Sequence, residues 1–259
     1  MQLHYDVHRG AGTGLLLVHG FLSSSAQWIA NIEGMKAFAT PVTVDLWGHG
    51  RSAAPSELHL YTPEAYIEAF ERLRTELGFE QWAICGASFG ASLTLRYALT
   101  HPHRITRQIF TNSMSGLSER KGSREQRERQ ADAIMKGGRK ALEALPFHPR
   151  FAKRLAPLVM DGLLRDAAML SPLGVANAMR ATVPDLSVAD SFSRTSVPTL
   201  LIDGTWEKEF RPIKAWAIAN LPDLKVIDLD GGHSINAEAP DAFNDAVRDF
   251  LSSLAALRG

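Results

Sequence analysis

Residues 82–99 read Trp82-Ala83-Ile84-Cys85-Gly86-Ala87-Ser88-Phe89-Gly90-Ala91-Ser92-Leu93-Thr94-Leu95-Arg96-Tyr97-Ala98-Leu99. The apolar run Trp82-Ala83-Ile84-Cys85 has the character of a buried strand, and the stretch from Ala91 reads as helix. Between them stands Gly-x-Ser-x-Gly, the pattern of a strand-to-helix turn tight enough to strain its central serine. Glycines two before and two after Ser88 keep side chains out of that crowded turn. The turn lifts the Ser88 hydroxyl to the top of the sheet, and the helix behind it offers free N–H groups to developing negative charge. The pentapeptide is short, and the chain is rich in Gly, Ala and Ser; its setting between strand and helix makes Ser88 a candidate nucleophile.

Outward from this turn, short strand-like runs alternate with helical stretches, which predicts an α/β fold with a mostly parallel central sheet and helices on both faces. Leu15-Leu16-Leu17-Val18 ends at His19-Gly20, and Pro41-Val42-Thr43-Val44-Asp45 leads into the glycine-rich loop Trp47-Gly48-His49-Gly50-Arg51-Ser52. Further strands are expected from Ile105 to Phe110, at Pro198-Thr199-Leu200-Leu201-Ile202 and at Leu224-Lys225-Val226-Ile227-Asp228-Leu229, with helices over 63–77 and 240–257. Residues 113–190 break the alternation with helical patterns and no convincing strand. They are expected to form a helical cap on a core made of residues 1–112 and 191–259, over the strand ends where open α/β sheets bind ligands. The cap carries thirteen Lys and Arg against nine Asp and Glu, largely in the run from Glu119 to Arg129. Opposite charges three or four apart describe a solvated helix face; the sharper expectation is that Arg124 or Arg127 reaches a substrate carboxylate.

Composition narrows the classes of function. The 259 residues carry 28 basic and 28 acidic side chains, so no net charge draws the chain to nucleic acid or to an anionic membrane. No apolar run approaches the roughly 20 residues of a membrane span, and Met1-Gln2-Leu3-His4-Tyr5-Asp6-Val7-His8 lacks the basic start and apolar core of a signal peptide. A cytoplasmic protein is expected. Cys85 is the single cysteine, which excludes an intrachain disulfide, and it reads as a small buried hydrophobe. His4 and His8 have no carboxylate cluster beside them, so no metal site is expected. No cofactor is implied.

A serine hydroxyl needs a neighbouring base. His233, in Asp230-Gly231-Gly232-His233-Ser234, follows the last predicted strand on a loop free to reach Ser88. His101 and His103 flank a helix-ending proline; His19 and His49 lie in loops that could shape the site but come early in the chain. The carboxylate that orients the imidazole is sought in Asp203-Gly204-Thr205-Trp206-Glu207-Lys208-Glu209. Glu207 ranks first, then Asp203, then Glu209. Two backbone donors for an oxyanion are expected from the N–H of Phe89 and from the loop His19-Gly20-Phe21-Leu22, where Phe21 is favoured. Gly20, Phe21, Trp47, Phe89, Phe147 and Trp206 are candidates to line a substrate pocket, although core packing is the commoner role for an aromatic residue.

Taken together these motifs resemble the α/β-hydrolase fold superfamily, in its serine-nucleophile branch. His19-Gly20-Phe21 is similar to the family's oxyanion turn, Asp45-Leu46-Trp47-Gly48-His49-Gly50-Arg51-Ser52 to the loop after its next strand, and Gly232-His233 with Glu238 and Pro240 to its histidine segment. Most relatives have aspartate where Glu207 stands. The resemblance implies a Ser88–Glu207–His233 triad acting on a small-molecule ester or lactone. Serine at position 88 argues against haloalkane dehalogenases and epoxide hydrolases, which use aspartate there. The short N-terminal strand, the Arg- and Glu-rich cap and Glu207-Lys208-Glu209-Phe210-Arg211 also resemble the menaquinone-pathway synthase that eliminates pyruvate, but that enzyme has an arginine soon after its elbow where this chain reads Ala91-Ser92-Leu93. Carbon–carbon bond hydrolysis and a non-catalytic small-molecule receptor are the remaining alternatives.

Overall fold

Leu15, Leu16, Leu17 and Val18 are all fully buried, yet they divide between two apolar clusters, Leu16 and Val18 on one side and Leu15 and Leu17 on the other. That alternation is the period-two geometry of a strand covered on both faces. The computed structural model describes residues 1–118 and 123–253. Its strands β1 (His4–Val7), β2 (Gly14–Val18), β3 (Thr40–Asp45), β4 (Trp82–Gly86), β5 (Ile105–Thr111), β6 (Thr199–Gly204) and β7 (Lys225–Leu229) form one sheet in the order β1-β3-β2-β4-β5-β6-β7. β1 pairs antiparallel with β3, and the other neighbouring pairs are parallel. This is the α/β architecture expected from the alternating pattern.

Helices cover both faces. Three of them are α1 (Ile29–Met35), α2 (Pro63–Glu76) and α3 (Phe89–Thr100). Tyr66 and Phe70 of α2 and Leu93 and Tyr97 of α3 pack with Val42, Val44, Trp82 and Ile84. On the opposite face Met35 of α1 and Phe243, Val247 and Phe250 of the helix Pro240–Ser252 pack with Ala83, Cys85, Leu200 and Ile202. Each fully buried side chain of this kind contributes roughly 1.5–3 kcal/mol, against about 1 kcal/mol at most for an exposed ion pair. The two apolar layers therefore hold the sheet. Burial pushes the Cys85 thiol above its ordinary range, which keeps it protonated and unreactive.

Local signals set the helix starts. Pro63 opens α2, and the Thr62 hydroxyl accepts from the Ala65 amide, a cap typically worth about 1 kcal/mol. The helix expected over 240–257 is described as Pro240–Ser252, and its expected end lies outside the described residues. So do residues 119–122 of the charged run.

Between β5 and β6 the described residues form helices and no strand, including Arg124–Glu143, Pro157–Ala167 and Pro172–Asn177. This insertion rests on the loops that leave β2 and β3. Leu22 packs with Ala131, Ile134 and Val175, and Ala26 packs with Val159 and Leu163. Ser24 Oγ donates to Asp166 Oδ2 at 2.7 Å, and the Ser171 amide donates to the Gly48 carbonyl at 3.0 Å. Gly48 and Gly174 meet backbone to backbone: a Cβ on either would lie within 2.5 Å of the other's Cα, so both must be glycine. Among the described residues no helix is long and apolar enough to cross a membrane.

Candidate active site

Ser88 has φ 52° and ψ −110°, a conformation costing on the order of 1–3 kcal/mol for a residue with a side chain. Crowding explains the flanking glycines. A Cβ at Gly86 would lie 2.4 Å from Thr94 Oγ1, and one at Gly90 would lie 2.4 Å from the Val18 carbonyl oxygen. Hydrogen bonds hold the strained residue from both sides. Its amide donates to Thr111 Oγ1 at 3.3 Å, and its carbonyl accepts from Ser113 Oγ at 2.9 Å. Residue 88 caps α3 without being part of it, so the helix begins with Phe89 and directs its first amides toward the turn.

His233 stands between Ser88 and Glu207. Its Nε2 lies 2.8 Å from Ser88 Oγ and its Nδ1 lies 2.7 Å from Glu207 Oε1. A carboxylate on Nδ1 fixes the tautomer in which Nε2 accepts the hydroxyl proton, the geometry that general-base activation of a serine requires. Ser88 follows β4, Glu207 follows β6 and His233 follows β7, so all three emerge at the C-terminal edge of parallel strands. The loops of Glu207 and His233 pack so closely that a Cβ on Gly204 would lie 2.0 Å from the Gly232 carbonyl oxygen. Glu238 ties the histidine loop on both sides of His233, accepting from the Gly232 amide at 2.9 Å and the Ser234 amide at 3.2 Å.

The three acids of the β6 loop separate by partner. Asp203 is buried and bonds Lys214 Nζ at 2.9 Å; the same ammonium bonds Asp228 at 2.5 Å. Burial opposes the charge on Lys214, but these two carboxylates outweigh it and raise its pKa. Glu209 is exposed in a short turn of helix. Glu207 alone of the three bonds His233.

The other residues singled out from the sequence lie at varied distances from this arrangement. Phe21 and Phe89 face each other with ring centroids 5.3 Å apart, and Gly20 backs onto Ser88, where a Cβ would sit 3.6 Å from the serine Cβ. Trp47, a candidate pocket wall, is buried in the core cluster that holds Tyr61, Tyr66 and Phe89. Trp206 is 45% exposed, donates from Nε1 to Asp230 at 2.7 Å and lies beneath the Arg154 guanidinium at 4.6 Å. Phe147 is 72% exposed on the insertion. Arg124 is exposed and Arg127 half-buried in the first turns of the helix Arg124–Glu143. Sequence reasoning missed Arg154, whose contact with Trp206 exists only once the insertion has folded onto the β6 loop. It also missed Ser113, whose signal was its position two residues past the end of β5, the strand beside β4.

His19 and His49 are fully buried beneath the site. Burial lowers the pKa of both, His49 to about 3. Both are therefore neutral in the folded protein at neutral pH, while in the unfolded chain they titrate near the ordinary 6.5. Below that value the unfolded chain binds protons that the folded protein refuses, so stability is full above pH 6.5 and falls with acidification. For His49, whose folded pKa lies near 3, the slope approaches about 1.4 kcal/mol per pH unit, and His19 adds to it in the same direction. Urea unfolding at pH 7.5 and pH 5.0 checks this: the midpoint drops at the lower pH, and drops less in His49→Asn. Equal midpoints in the parent protein would contradict it.

The sheet, its covering helices and a serine–histidine–carboxylate set at the strand ends define an α/β protein built around a tight strand-to-helix turn at Ser88. Residues 14–240 match the family model described as alpha/beta hydrolase fold, and the chain belongs to that family. It is 26% identical, over 96% of its length and 94% of the relative's, to a putative 2-succinyl-6-hydroxy-2,4-cyclohexadiene-1-carboxylate synthase of Bacillus subtilis strain 168. Its fold is shared by MenH from S. aureus, with a TM-score of 0.81, 22% identity and coverage of 96% of this chain and 98% of that one. The enol-lactonase from Burkholderia xenovorans LB400 shares it too, with a TM-score of 0.79, 22% identity and 96% coverage of each chain.

Proposed function

We propose that this protein is a serine hydrolase that cleaves a small or medium acyl ester or a lactone through an acyl-enzyme on Ser88. The observation that carries this reading is the continuous path Ser88 Oγ, His233 Nε2, His233 Nδ1 and Glu207 Oε1, with links of 2.8 and 2.7 Å. His233 takes the Ser88 proton as Oγ attacks the carbonyl carbon. The amides of Phe21 and Phe89 hold the resulting oxyanion. His233 then protonates the departing alkoxide, which leaves as alcohol (in a lactone, as a hydroxyl still tethered to the acyl group). Water gives up a proton to His233 and attacks the acyl carbon; Ser88 recovers that proton and the carboxylic acid departs. General-base help of this kind supplies about 10²–10⁴ in rate, and each oxyanion donor about 10²–10³.

The helical insertion is the cap in this reading. The Phe21 and Phe89 rings form the inner wall, Phe147 and Trp206 the exposed apolar approach, and Arg124 and Arg127 the cationic side that favours acidic acyl groups. No cofactor takes part, and the protein works as a cytoplasmic enzyme on a small molecule.

A pyruvate-eliminating synthase is the second reading, favoured by the match to the Bacillus subtilis relative over nearly the whole chain. Against it, Ser92 is fully buried and its hydroxyl lies 2.9 Å from Ser113 Oγ and 3.2 Å from Ser115 Oγ. The synthases resembled by this sequence have an arginine soon after their elbow, and here the elbow is followed by Ala91-Ser92-Leu93, with no arginine before Arg96. Hydrolysis of p-nitrophenyl esters from acetate to octanoate and of simple lactones tests the lead reading, together with fluorophosphonate labelling of Ser88. Turnover in that panel is expected. A folded protein that releases pyruvate from the cyclohexadiene substrate and leaves every ester and lactone intact would replace the first reading with the second.

A further inference from the structure

Four amide side chains, Gln27, Asn31, Asn236 and Asn244, are each at least 93% buried and are bonded to one another beneath the site. Gln27 Nε2 donates to Asn236 Oδ1 at 3.2 Å, and Asn236 Nδ2 donates back to the Gln27 carbonyl at 3.0 Å and to Asn31 Oδ1 at 3.2 Å. Asn31 Nδ2 in turn donates to the Asn236 carbonyl at 2.9 Å and to Asn244 Oδ1 at 3.1 Å, and Asn244 Nδ2 to the Asn31 carbonyl at 3.1 Å. None of their side-chain polar atoms is left without a partner. A buried network satisfied at every atom specifies one geometry, because any displacement leaves a costly orphan.

The ends of this network are what give it a role. Gln27 Oε1 accepts from the Gly20 amide at 2.9 Å. The Gly20 carbonyl is held from the other side by His19 Nδ1 at 2.7 Å. His19 Nε2 accepts from the Leu46 amide at 3.0 Å, so Nδ1 is the protonated nitrogen and the donor. In a trans peptide the carbonyl of Gly20 and the N–H of Phe21 point in opposite directions. Fixing that carbonyl toward His19 therefore fixes the direction of the Phe21 donor. At the far end, Asn236 lies three residues beyond His233 in the helical turn Ile235–Glu238, whose Glu238 braces the loop of His233.

We infer that this buried amide network is a positioning device that couples the oxyanion turn at Gly20–Phe21 to the loop of His233, with Gln27 and Asn236 as its positioning residues. The inference rests on the hydrolase reading of the site. It assigns the network a role beyond packing: the amide that receives negative charge and the imidazole that moves the proton share one rigid reference.

The test uses the full-length protein and the second-order rate of Ser88 labelling by a fluorophosphonate, whose P–O group needs the oxyanion donors whatever the natural substrate. Gln27→Met keeps the side-chain length and removes both of its hydrogen bonds. It is expected to slow labelling at least tenfold and to lower kcat on the best ester by a similar factor, with KM within twofold. Asn236→Ala leaves Gln27 Oε1 on the Gly20 amide and removes the three side-chain bonds of residue 236, those to Gln27 and to Asn31, keeping only the backbone bond from Asn31 Nδ2 to the residue-236 carbonyl. It should reproduce the loss, and the double variant should be no slower than the worse single one. If Gln27→Met shows no cooperative unfolding transition, Asn236→Ala carries the test alone. Variants that unfold at lower temperature yet label and turn over within twofold of the parent would reduce the network to packing and overturn the inference. A parent protein that labels but hydrolyses no ester overturns the ester reading and leaves this test intact; one that does not label overturns both.

Discussion

Ser88→Ala lowers kcat on any ester this protein hydrolyses by about 10⁴–10⁶-fold and abolishes fluorophosphonate labelling. The substitution removes one oxygen whose side-chain bond is to His233 Nε2 at 2.8 Å. The strain at this residue lies in its backbone, at φ 52°, and the bonds that hold it come from Thr111 and Ser113 to the main chain. Alanine keeps those bonds and the same Cβ, so the thermal midpoint is expected to stay within a few degrees of the parent. Under the proposed mechanism residual hydrolysis above water is expected, since the Phe21 and Phe89 amides would still polarise a bound carbonyl. Steady-state kinetics beside a thermal melt decides the matter: a folded variant that retains a tenth of parental activity sinks Ser88 as nucleophile.

The parts of this protein that could be read from its sequence are those whose causes lie close together in the chain. The elbow needed only a buried strand, two glycines at fixed offsets and a following helix. Strands such as Leu15-Leu16-Leu17-Val18 announced themselves because a sheet covered on both faces leaves no polar position to break the run. The order Ser88, Glu207, His233 could be proposed because each residue lies a few positions past the end of a recognisable strand. The choice between Asp203 and Glu207 could only be ranked, since it depends on how two loops meet. Asp203 is drawn to Lys214, and Gly204 must pass against Gly232. Trp47 read as a pocket candidate because it borders a glycine loop, while its indole turns into the core. The network around Gln27 was invisible, because residues 27 and 236 become neighbours only when the helical turns Ser25–Trp28 and Ile235–Glu238 pack side by side.

Glu207→Gln is the sharper test of the proton path, because it removes charge while keeping shape. With glutamate, His233 Nδ1 donates to Oε1 at 2.7 Å, and the lone pair on Nε2 faces Ser88. A glutamine that presents its amide N–H reverses that bond, drives the proton to Nε2 and leaves no acceptor for the serine. One that presents its oxygen keeps the tautomer but loses the charge that stabilises the imidazolium. Either way kcat is expected to fall by about 10⁴-fold with KM nearly unchanged, because Glu207 is directed at His233 and not toward a substrate. Glu207→Asp keeps the charge on a side chain one methylene shorter. The Gly204–Gly232 contact, which has no room even for a Cβ, restricts the shift needed to restore the bond, so a loss of about 10²-fold is expected from misplacement alone. Asp203→Asn disturbs the Lys214 bridge and not the imidazole, and its activity should stay within about tenfold of the parent, the measure of a fault of roughly 1.4 kcal/mol. If Asp203→Asn costs as much as Glu207→Gln, or Glu207→Gln costs nothing, then the carboxylate bonded to His233 is not the one that orients it during turnover.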